Sequence, residues 1–268
     1  MLFKGLTTTL ALAILGASGT LAAAPIIVSD NYVGADANSA FNSTYYGDVV
    51  GDDDKFDISS MVVDQAGTQF DFTINTQFAG KSGNLYHNLT QGETGIGYGD
   101  LFLANNWAPE GSSPYIQDDA TNGTDWTWGL RLSNRYNNDG GEVSLFRLQG
   151  SNLDTSILSD NLMSGGDWRR GQEVLIDDGA NAADYVTYFG SVGSWALGTG
   201  QLNINADLSQ SDLLNGDTLA FHWGMTCAND VIEGEVDLAK KVPEPGTIGL
   251  TALALVGMLL MRRRSPKA

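Results

Sequence analysis

The sequence predicts an all-β fold, an antiparallel β-sandwich of the jelly-roll type. Three observations support this prediction. Short segments in which apolar and polar residues alternate recur along the chain, which is the period of half-buried strands. Clusters of Gly, Asn and Asp separate these segments and are typical of tight turns. Between its two apolar ends, the chain has no stretch that keeps the 3.6-residue period of a helix.

The beginning of the chain has the three parts of a secretory signal peptide. Residues 1–4 include a positive charge, residues 6–21 are apolar, and three alanines follow as the small side chains of a cleavage site. Pro25 would be unfavourable directly after the cut, so we expect cleavage after Ala22 or Ala23. The alternative is an uncleaved N-terminal anchor.

The first half of the body contains four predicted strands. In the third, Phe70, Phe72 and Ile74 alternate with polar residues and form the inward face. A turn sequence over residues 64–67 joins the second strand to the third. A long surface loop over residues 104–124 follows the fourth. The four strands are predicted over residues 26–28, 56–63, 69–78 and 100–103.

The second half of the body repeats this pattern. Trp126, Trp128, Leu130 and Leu132 alternate with other residues and are predicted to share one face of a strand. A turn of Asn, Asp and Gly leads to the partner strand. One helical turn is predicted over residues 209–214. The strands of this half are predicted over residues 126–132, 142–148, 173–176, 184–189, 201–208 and 219–227.

Cysteine usage shows how the body must be stabilised. Cys227 is the only cysteine, so the chain cannot form an internal disulfide. It ends a strand in which apolar residues recur at every second position. We therefore interpret Cys227 as a small core residue, and we expect the apolar core to supply the stability.

The net charge of the chain argues against polyanionic partners. The formal net charge is −18, and five of the 14 basic residues lie in the two apolar ends, so the body between them is more acidic still. Such a surface repels nucleic acids and anionic lipids. It favours solubility and attracts divalent cations.

A cluster of aspartates is the strongest candidate for a metal site. Calcium takes six to eight hard oxygen ligands, and carboxylates concentrated in one loop can supply them. The spacing does not match an EF-hand, and a solvated acidic loop is the alternative. A second, weaker candidate contains Asp177, Asp178, Asn181 and Asp184. The main predicted calcium ligands are Asp48, Asp52, Asp53, Asp54 and Asp57.

Tryptophans offer ring faces to which sugars could bind. Trp126 and Trp128 alternate with polar residues as core positions do, so we interpret most of the six tryptophans as packing residues. Trp107 lies in a predicted loop beside two asparagines, and Trp168 lies beside two arginines. We therefore predict these two as the candidate carbohydrate-binding residues.

Support for catalysis is thinner. Glu233 and Glu235 lie two residues apart, hence on one strand face, and Asp237 follows, as in the carboxylate sets of sandwich-fold glycosidases. The alternative is a solvent-facing strand end. Because His87 and His222 are the only histidines, a histidine-rich metal site is excluded. We predict a protein that is not an enzyme.

The end of the chain has the pattern of a membrane anchor. Residues 246–261 are uncharged, and a helix of that length covers roughly 24 Å, short against a hydrocarbon core of about 30 Å but sufficient with local thinning. The arginines at 262–264 would stay on the cytoplasmic side, which places the body outside. Pro243 and Pro245 hold Glu244 in an extended segment. An ordinary single-pass anchor is the alternative.

Residues 243–245, the apolar helix and the basic stop together resemble the PEP-CTERM sorting signal of Gram-negative bacterial surface proteins. The resemblance implies processing by an exosortase, a membrane-embedded cysteine protease, and a host that makes extracellular polysaccharide or biofilm. It also implies transient anchoring in the inner membrane, followed by the cell surface or the medium. A weaker resemblance, over residues 221–234, is to the closing strand of bodies with this tail, and it implies no activity. The sorting residues are Val242, Pro243, Glu244, Pro245, Arg262, Arg263 and Arg264.

The sequence thus divides into a signal peptide (1–24), an exported sandwich domain (25–241) and a sorting signal (242–268). The function we prefer is a non-enzymatic protein of the cell surface or extracellular matrix that binds calcium or exopolysaccharide. The alternative is a secreted, polysaccharide-active glycoside hydrolase of sandwich fold.

Overall fold

The computed structural model describes residues 24–35 and 47–238, and in them the chain is mostly β-strand. The prediction of an antiparallel, all-β body is confirmed. The predicted tail, and all but the last residue of the predicted signal peptide, lie outside the described residues. The strands are β1 (Ile26–Ser29), β2 (Ile58–Ala66), β3 (Gln69–Thr76), β4 (Leu101–Ala104), β5 (Trp128–Leu132), β6 (Gly141–Leu148), β7 (Ser156–Leu158), β8 (Glu173–Ile176), β9 (Val186–Gly198), β10 (Gln201–Asp207), β11 (Thr218–Gly224) and β12 (Val231–Asp237).

Ten of these strands form one antiparallel sheet, in the order β1-β2-β3-β10-β9-β6-β5-β4-β11-β12. The sheet curls until β1 and β12 approach each other, so it is nearly closed into a barrel. The sequence predicted the two separate sheets of a sandwich. Instead, β10 pairs with β3 and β11 pairs with β4, and these two ladders join all the strand groups into one sheet. β1 and β12 are the two edges of this sheet, and the curl brings these edges together.

Helical structure in the described residues is limited to single turns. The α-helical turns are α1 (Asp53–Phe56), α2 (Asn152–Thr155) and α3 (Ser159–Leu162), and 3₁₀ turns occur at His87–Leu89, Gln91–Glu93 and Leu213–Asn215. The last of these overlaps the helical turn predicted over residues 209–214. None of the described helices has the length and apolar character needed to cross a bilayer.

The inward face of the sheet forms the main core, as strand periodicity predicts. Phe70, Phe72 and Ile74 of β3 are fully buried. Cys227 is also fully buried in this core, which confirms its interpretation as a core residue. Trp126 differs from the prediction: it lies before β5 rather than within it, so the alternation with Trp128 does not hold, and its ring packs on the outer face of the sheet.

A second, smaller apolar cluster covers part of the outer face. The two-stranded sheet of β7 and β8 lies over this region. Gly129 of β5 allows the close approach, because a Cβ atom there would lie 2.7 Å from Cδ1 of Ile176 in β8. The outer cluster contains Phe102, Ala104, Trp126, Phe146, Leu148, Ile176 and Ala220.

The two edge strands of the sheet meet along a seam. Val28 of β1 packs against β12, where a Cβ atom at Gly234 would lie 2.9 Å from its Cγ1. Neighbouring strands alternate in direction across all ten strands, so β1 and β12 run antiparallel. The end of β1 and the beginning of β12 therefore lie at the same end of the sheet, and this is where the candidate site forms.

Candidate metal centre

Three carboxylates from distant parts of the chain converge at one end of the seam. Asp30 directly follows β1, Asp230 directly precedes β12, and Asp48 lies in the segment that leads to α1. One carboxylate oxygen from each lies within 4.8 Å of those from the other two. We call these three residues the aspartate triad.

The strand ends fix the carboxyl groups of the triad. Asp230 is fully buried, and its Oδ2 accepts a hydrogen bond from the backbone N–H of Ile58 (2.6 Å), while Oδ1 accepts one from the N–H of Val231 (3.0 Å). Asp30 Oδ1 accepts from the N–H of Tyr32 (3.2 Å). Asp30 Oδ2 is a buried atom that has no hydrogen-bond partner in the part of the chain that the structure describes. The triad therefore contains one carboxylate oxygen still in need of a partner.

Burial raises the pKa values of all three carboxyl groups, and the charges of neighbouring carboxylates add to the effect. Burial raises the pKa of Asp30 to about 8, and the charge of Asp48 adds to the effect. Burial, followed by the charges of Asp30 and Asp48, raises the pKa of Asp230 well above its ordinary value. Burial also raises the pKa of Asp48. In the absence of a cation, the triad retains protons at neutral pH.

Arg169 supplies part of the compensating charge. Its buried guanidinium donates hydrogen bonds to the backbone carbonyls of Gly34 (3.3 Å), Gly47 (3.1 Å) and Asp48 (2.6 Å). Its positive charge lowers the pKa of each triad carboxyl, but less than burial raises the pKa of Asp30 and Asp230. One guanidinium therefore does not neutralise the triad.

The donor set of the triad suits a hard divalent cation. All three ligands are carboxylate oxygens, without imidazole or thiolate, which favours calcium or magnesium over zinc. Calcium ligands lie about 2.3–2.6 Å from the ion, so oxygens on opposite sides of it are about 4.6–5.2 Å apart. The three triad oxygens all lie within 4.8 Å of one another, which is close enough for them to share one such ion. Backbone carbonyls or water would have to complete the shell.

Of the five predicted calcium ligands, only Asp48 belongs to the triad. Asp52 caps the N-terminus of α1, where it accepts from the N–H of Asp54 (3.1 Å) and pairs with Lys55 (2.6 Å). Asp53 and Asp54 lie exposed in the first turn of α1, where a helix dipole favours acidic side chains. Asp57 ends that helix, and its charge raises the pKa of Asp48.

Two members of the second predicted calcium group, Asp177 and Asp178, have other contacts in the structure. Asp178 pairs with Arg131, and this hydrogen bond lowers the pKa of its carboxyl group. Asp177 Oδ1 accepts from the N–H of Gly179 (2.8 Å) and closes a local turn. Both carboxylates thus have partners of their own.

The two tryptophans predicted to bind sugar are half-buried. Trp107 donates from Nε1 to Oε2 of Glu233 (2.9 Å) and packs edge-to-face on Tyr115. Trp168 packs against the main core, and the guanidinium carbon of Arg170 lies 4.3 Å from its ring centroid. Their role in sugar binding stays a prediction.

Glu233 belongs to a buried network between β11, β12 and β8. His222 Nδ1 lies 2.9 Å from Glu233 Oε1, and Nε2 donates to the carbonyl oxygen of Glu173 (2.7 Å). Burial alone would lower the pKa of His222, but the hydrogen bond and charge of Glu233 raise it above its ordinary value. Glu235 and Asp237 are exposed on the same strand. The three carboxylates considered for catalysis thus lie in different surroundings.

Sequence reasoning did not identify Asp30 and Asp230. Each stands alone beside a strand, and about 200 residues separate them. Only the closure of the sheet, which no local pattern specifies, brings them together.

No family model, no curated protein and no solved structure matches the chain.

Proposed function

We propose that this chain is an exported, non-enzymatic protein of the cell surface or extracellular matrix, and that its body binds calcium at the aspartate triad. An exosortase processes its tail near Glu244, after transient anchoring in the inner membrane. Outside the cell, the body meets extracellular polysaccharide. The single observation that supports the calcium site is the triad itself, in which oxygens of three carboxylates converge and the buried Oδ2 of Asp30 has no hydrogen-bond partner among the described residues.

The fold agrees with this assignment of the chain's parts. β1 begins at Ile26, just after the predicted signal peptide, and β12 ends at Asp237, just before the predicted sorting tail. The body therefore fits between the two segments assigned to export and anchoring. Millimolar calcium is common outside cells, where a site of moderate affinity would be filled.

Calcium titration of the purified full chain tests the site. We expect a dissociation constant of about 10⁻⁴ M by isothermal calorimetry, as for other extracellular calcium modules. At a calcium concentration about 100 times that value, binding should stabilise the folded state by about 2.7 kcal/mol. We expect Asp30→Asn to weaken binding at least about tenfold while preserving the Oδ1 contact with Tyr32.

A neighbouring aspartate provides the control. Asp54 is exposed on α1 outside the triad, so Asp54→Asn removes the same charge from the same region. This variant should bind calcium like the unchanged chain. Equal losses in both variants would indicate general electrostatic attraction, and no heat at all from the unchanged chain would refute the site.

A further inference from the structure

An exposed tyrosine lies on the outer face of the sheet, away from the triad. Tyr188 of β9 is 58% exposed and stands opposite Phe146 of β6 in the pairing register. The ring centroids of these two residues are 5.2 Å apart, with an interplanar angle of 50°. The next ring along the strand, that of Phe189, packs against Trp128, with ring centroids 5.0 Å apart. The Tyr188 ring is thus exposed to solvent while it packs against Phe146.

The ion pair of Arg131 and Asp178 lies next to Phe146. The guanidinium carbon of Arg131 lies 4.4 Å from the Phe146 ring centroid, and Arg131 pairs with Asp178. Arg131 Nη2 also donates to the carbonyl oxygen of Ile176 (3.1 Å), which fixes the plane of the guanidinium. We call Tyr188, Phe146, Arg131 and Asp178 the outer strip.

The outer strip leads into an open cleft of about 540 Å³ between the β5–β6 turn and the two-stranded sheet. Arg131 and Asp178 form one side of it. The rest of the lining includes Arg135, further polar residues and an apolar wall that contains Ile157 and Leu175. A cleft with an apolar wall and a few fixed polar groups is the usual form of a small-ligand site.

We propose that the outer strip and its cleft bind a neutral oligosaccharide. The apolar face of a sugar ring stacks on an exposed aromatic ring such as Tyr188. The Arg131–Asp178 pair places hydrogen-bond donors and acceptors side by side, which matches the neighbouring hydroxyls of a sugar.

Charge selects a neutral ligand over an acidic one. The two arginines of the cleft are already ion-paired, Arg131 with Asp178 and Arg135 with Asp100 (2.7 Å). Neither has charge left to compensate a carboxylate. The net charge of −18 also opposes the approach of a polyanion. This inference names the ligand class of the proposed matrix protein and depends on that function, but it uses residues separate from the triad.

Affinity electrophoresis of the full chain in native gels tests the inference. The gels contain a neutral polymer (dextran, mannan or hydroxyethylcellulose) or the acidic polymer alginate. We expect at least one neutral polymer to retard the unchanged chain, and Tyr188→Ala and Arg131→Gln each to reduce its affinity about tenfold. Tyr86→Ala is the matched control, because Tyr86 is 40% exposed but lies just before the 3₁₀ turn His87–Leu89, outside the outer strip and its cleft.

Several results would overturn the inference. Absence of retardation by every neutral polymer, retardation by alginate alone, or equal retardation of all variants overturns the inference. Melting temperatures of the variants show whether each still folds. The variant Asp30→Asn separates the two proposals: unchanged retardation supports a sugar site independent of calcium, whereas its loss would move sugar binding to the triad and overturn the inference. Release of reducing ends would show hydrolysis instead of simple binding and also contradict it.

Discussion

At the scale of single residues, Asp30 determines how the body responds to pH. Its pKa is raised from 3.8 to about 8 in the fold, so between these values the folded chain binds more protons than the unfolded chain. This contribution to stability is complete below the unfolded pKa and is lost as the pH rises through about 8. Glu173, whose pKa burial raises to about 8, acts in the same direction.

We therefore expect the melting temperature in EDTA to fall as the pH rises from about 5 to about 8. Asp30→Asn should make this fall shallower without abolishing it, because burial also raises the pKa of Glu173 to about 8 and that of Asp118 to about 6. Calcium should restore the stability that is lost when Asp30 ionises. It should bind more tightly at the higher pH, because it competes with a proton for the carboxylate. Calorimetric scans with and without calcium measure both effects. A melting temperature independent of pH in EDTA would contradict the assignment.

Local pattern predicted some of these residues and not others. Asp48 stands in a run of aspartates, so its part in an acidic cluster was visible in the sequence. Asp30 and Asp230 depend on strand closure, which involves residues far apart in the chain. The surroundings of Trp107 likewise depend on a side chain brought in by the fold, Glu233, whereas the arginine that packs on Trp168, Arg170, was visible beside it in the sequence.

At the scale of elements, the pairing of β11 with β12 depends on one buried polar contact. His222 and Glu233 are register partners across the two strands, and both are buried. Glu233 also accepts from Trp107, and His222 donates to the backbone of β8. The contact therefore joins three parts of the fold, and removing one partner leaves the other buried without compensation.

We expect Glu233→Gln to lower the free energy of unfolding by about 3 kcal/mol, because it removes the charge that stabilises protonated His222. Urea denaturation measures this change. Glu235→Gln makes the same substitution two residues along on the same strand, where the side chain is exposed. It should change stability by less than about 0.5 kcal/mol. Similar values for the two variants would argue against a structural role for the buried pair.

The sequence predicted which segments form strands more reliably than where those strands begin and end. Alternation located β3, β8 and β10 within two residues of their observed bounds. β9 continues to Gly198, well beyond its prediction over residues 184–189, because its two bulges and its small residues interrupt the alternation. The three-residue strand β7 was missed, since its pairing with β8 and not its own pattern makes it a strand.

At the scale of the whole molecule, periodicity cannot distinguish one curled sheet from two facing sheets. Both arrangements bury one face of each strand and therefore give the same alternation. The difference lies in ladders between strands far apart in sequence, such as β3 with β10 and β4 with β11. Antiparallel β structure was thus predictable, and its closure was not.

The proposed sorting of the whole chain predicts a specific processing defect. Replacing Pro243 and Pro245 together with alanine removes the rigid backbone that keeps Glu244 extended. We expect the full-length chain then to accumulate in the inner membrane. Cell fractionation and mass spectrometry of the C-terminus measure this. Pro109→Ala, which changes a proline in a loop of the body, should leave processing intact. Normal release of the double variant would contradict recognition of the motif.

The even number of strands in the sheet has a consequence for how the protein is presented. With ten alternating strands and a seam between the first and last, the polypeptide enters at Ile26 and departs at Asp237 from one pole, while the aspartate triad occupies the other. Under the proposed anchoring by the tail, a body held at one pole displays the opposite pole to the surroundings. Calcium would then reach its ligands from the outside, before the tether is cut.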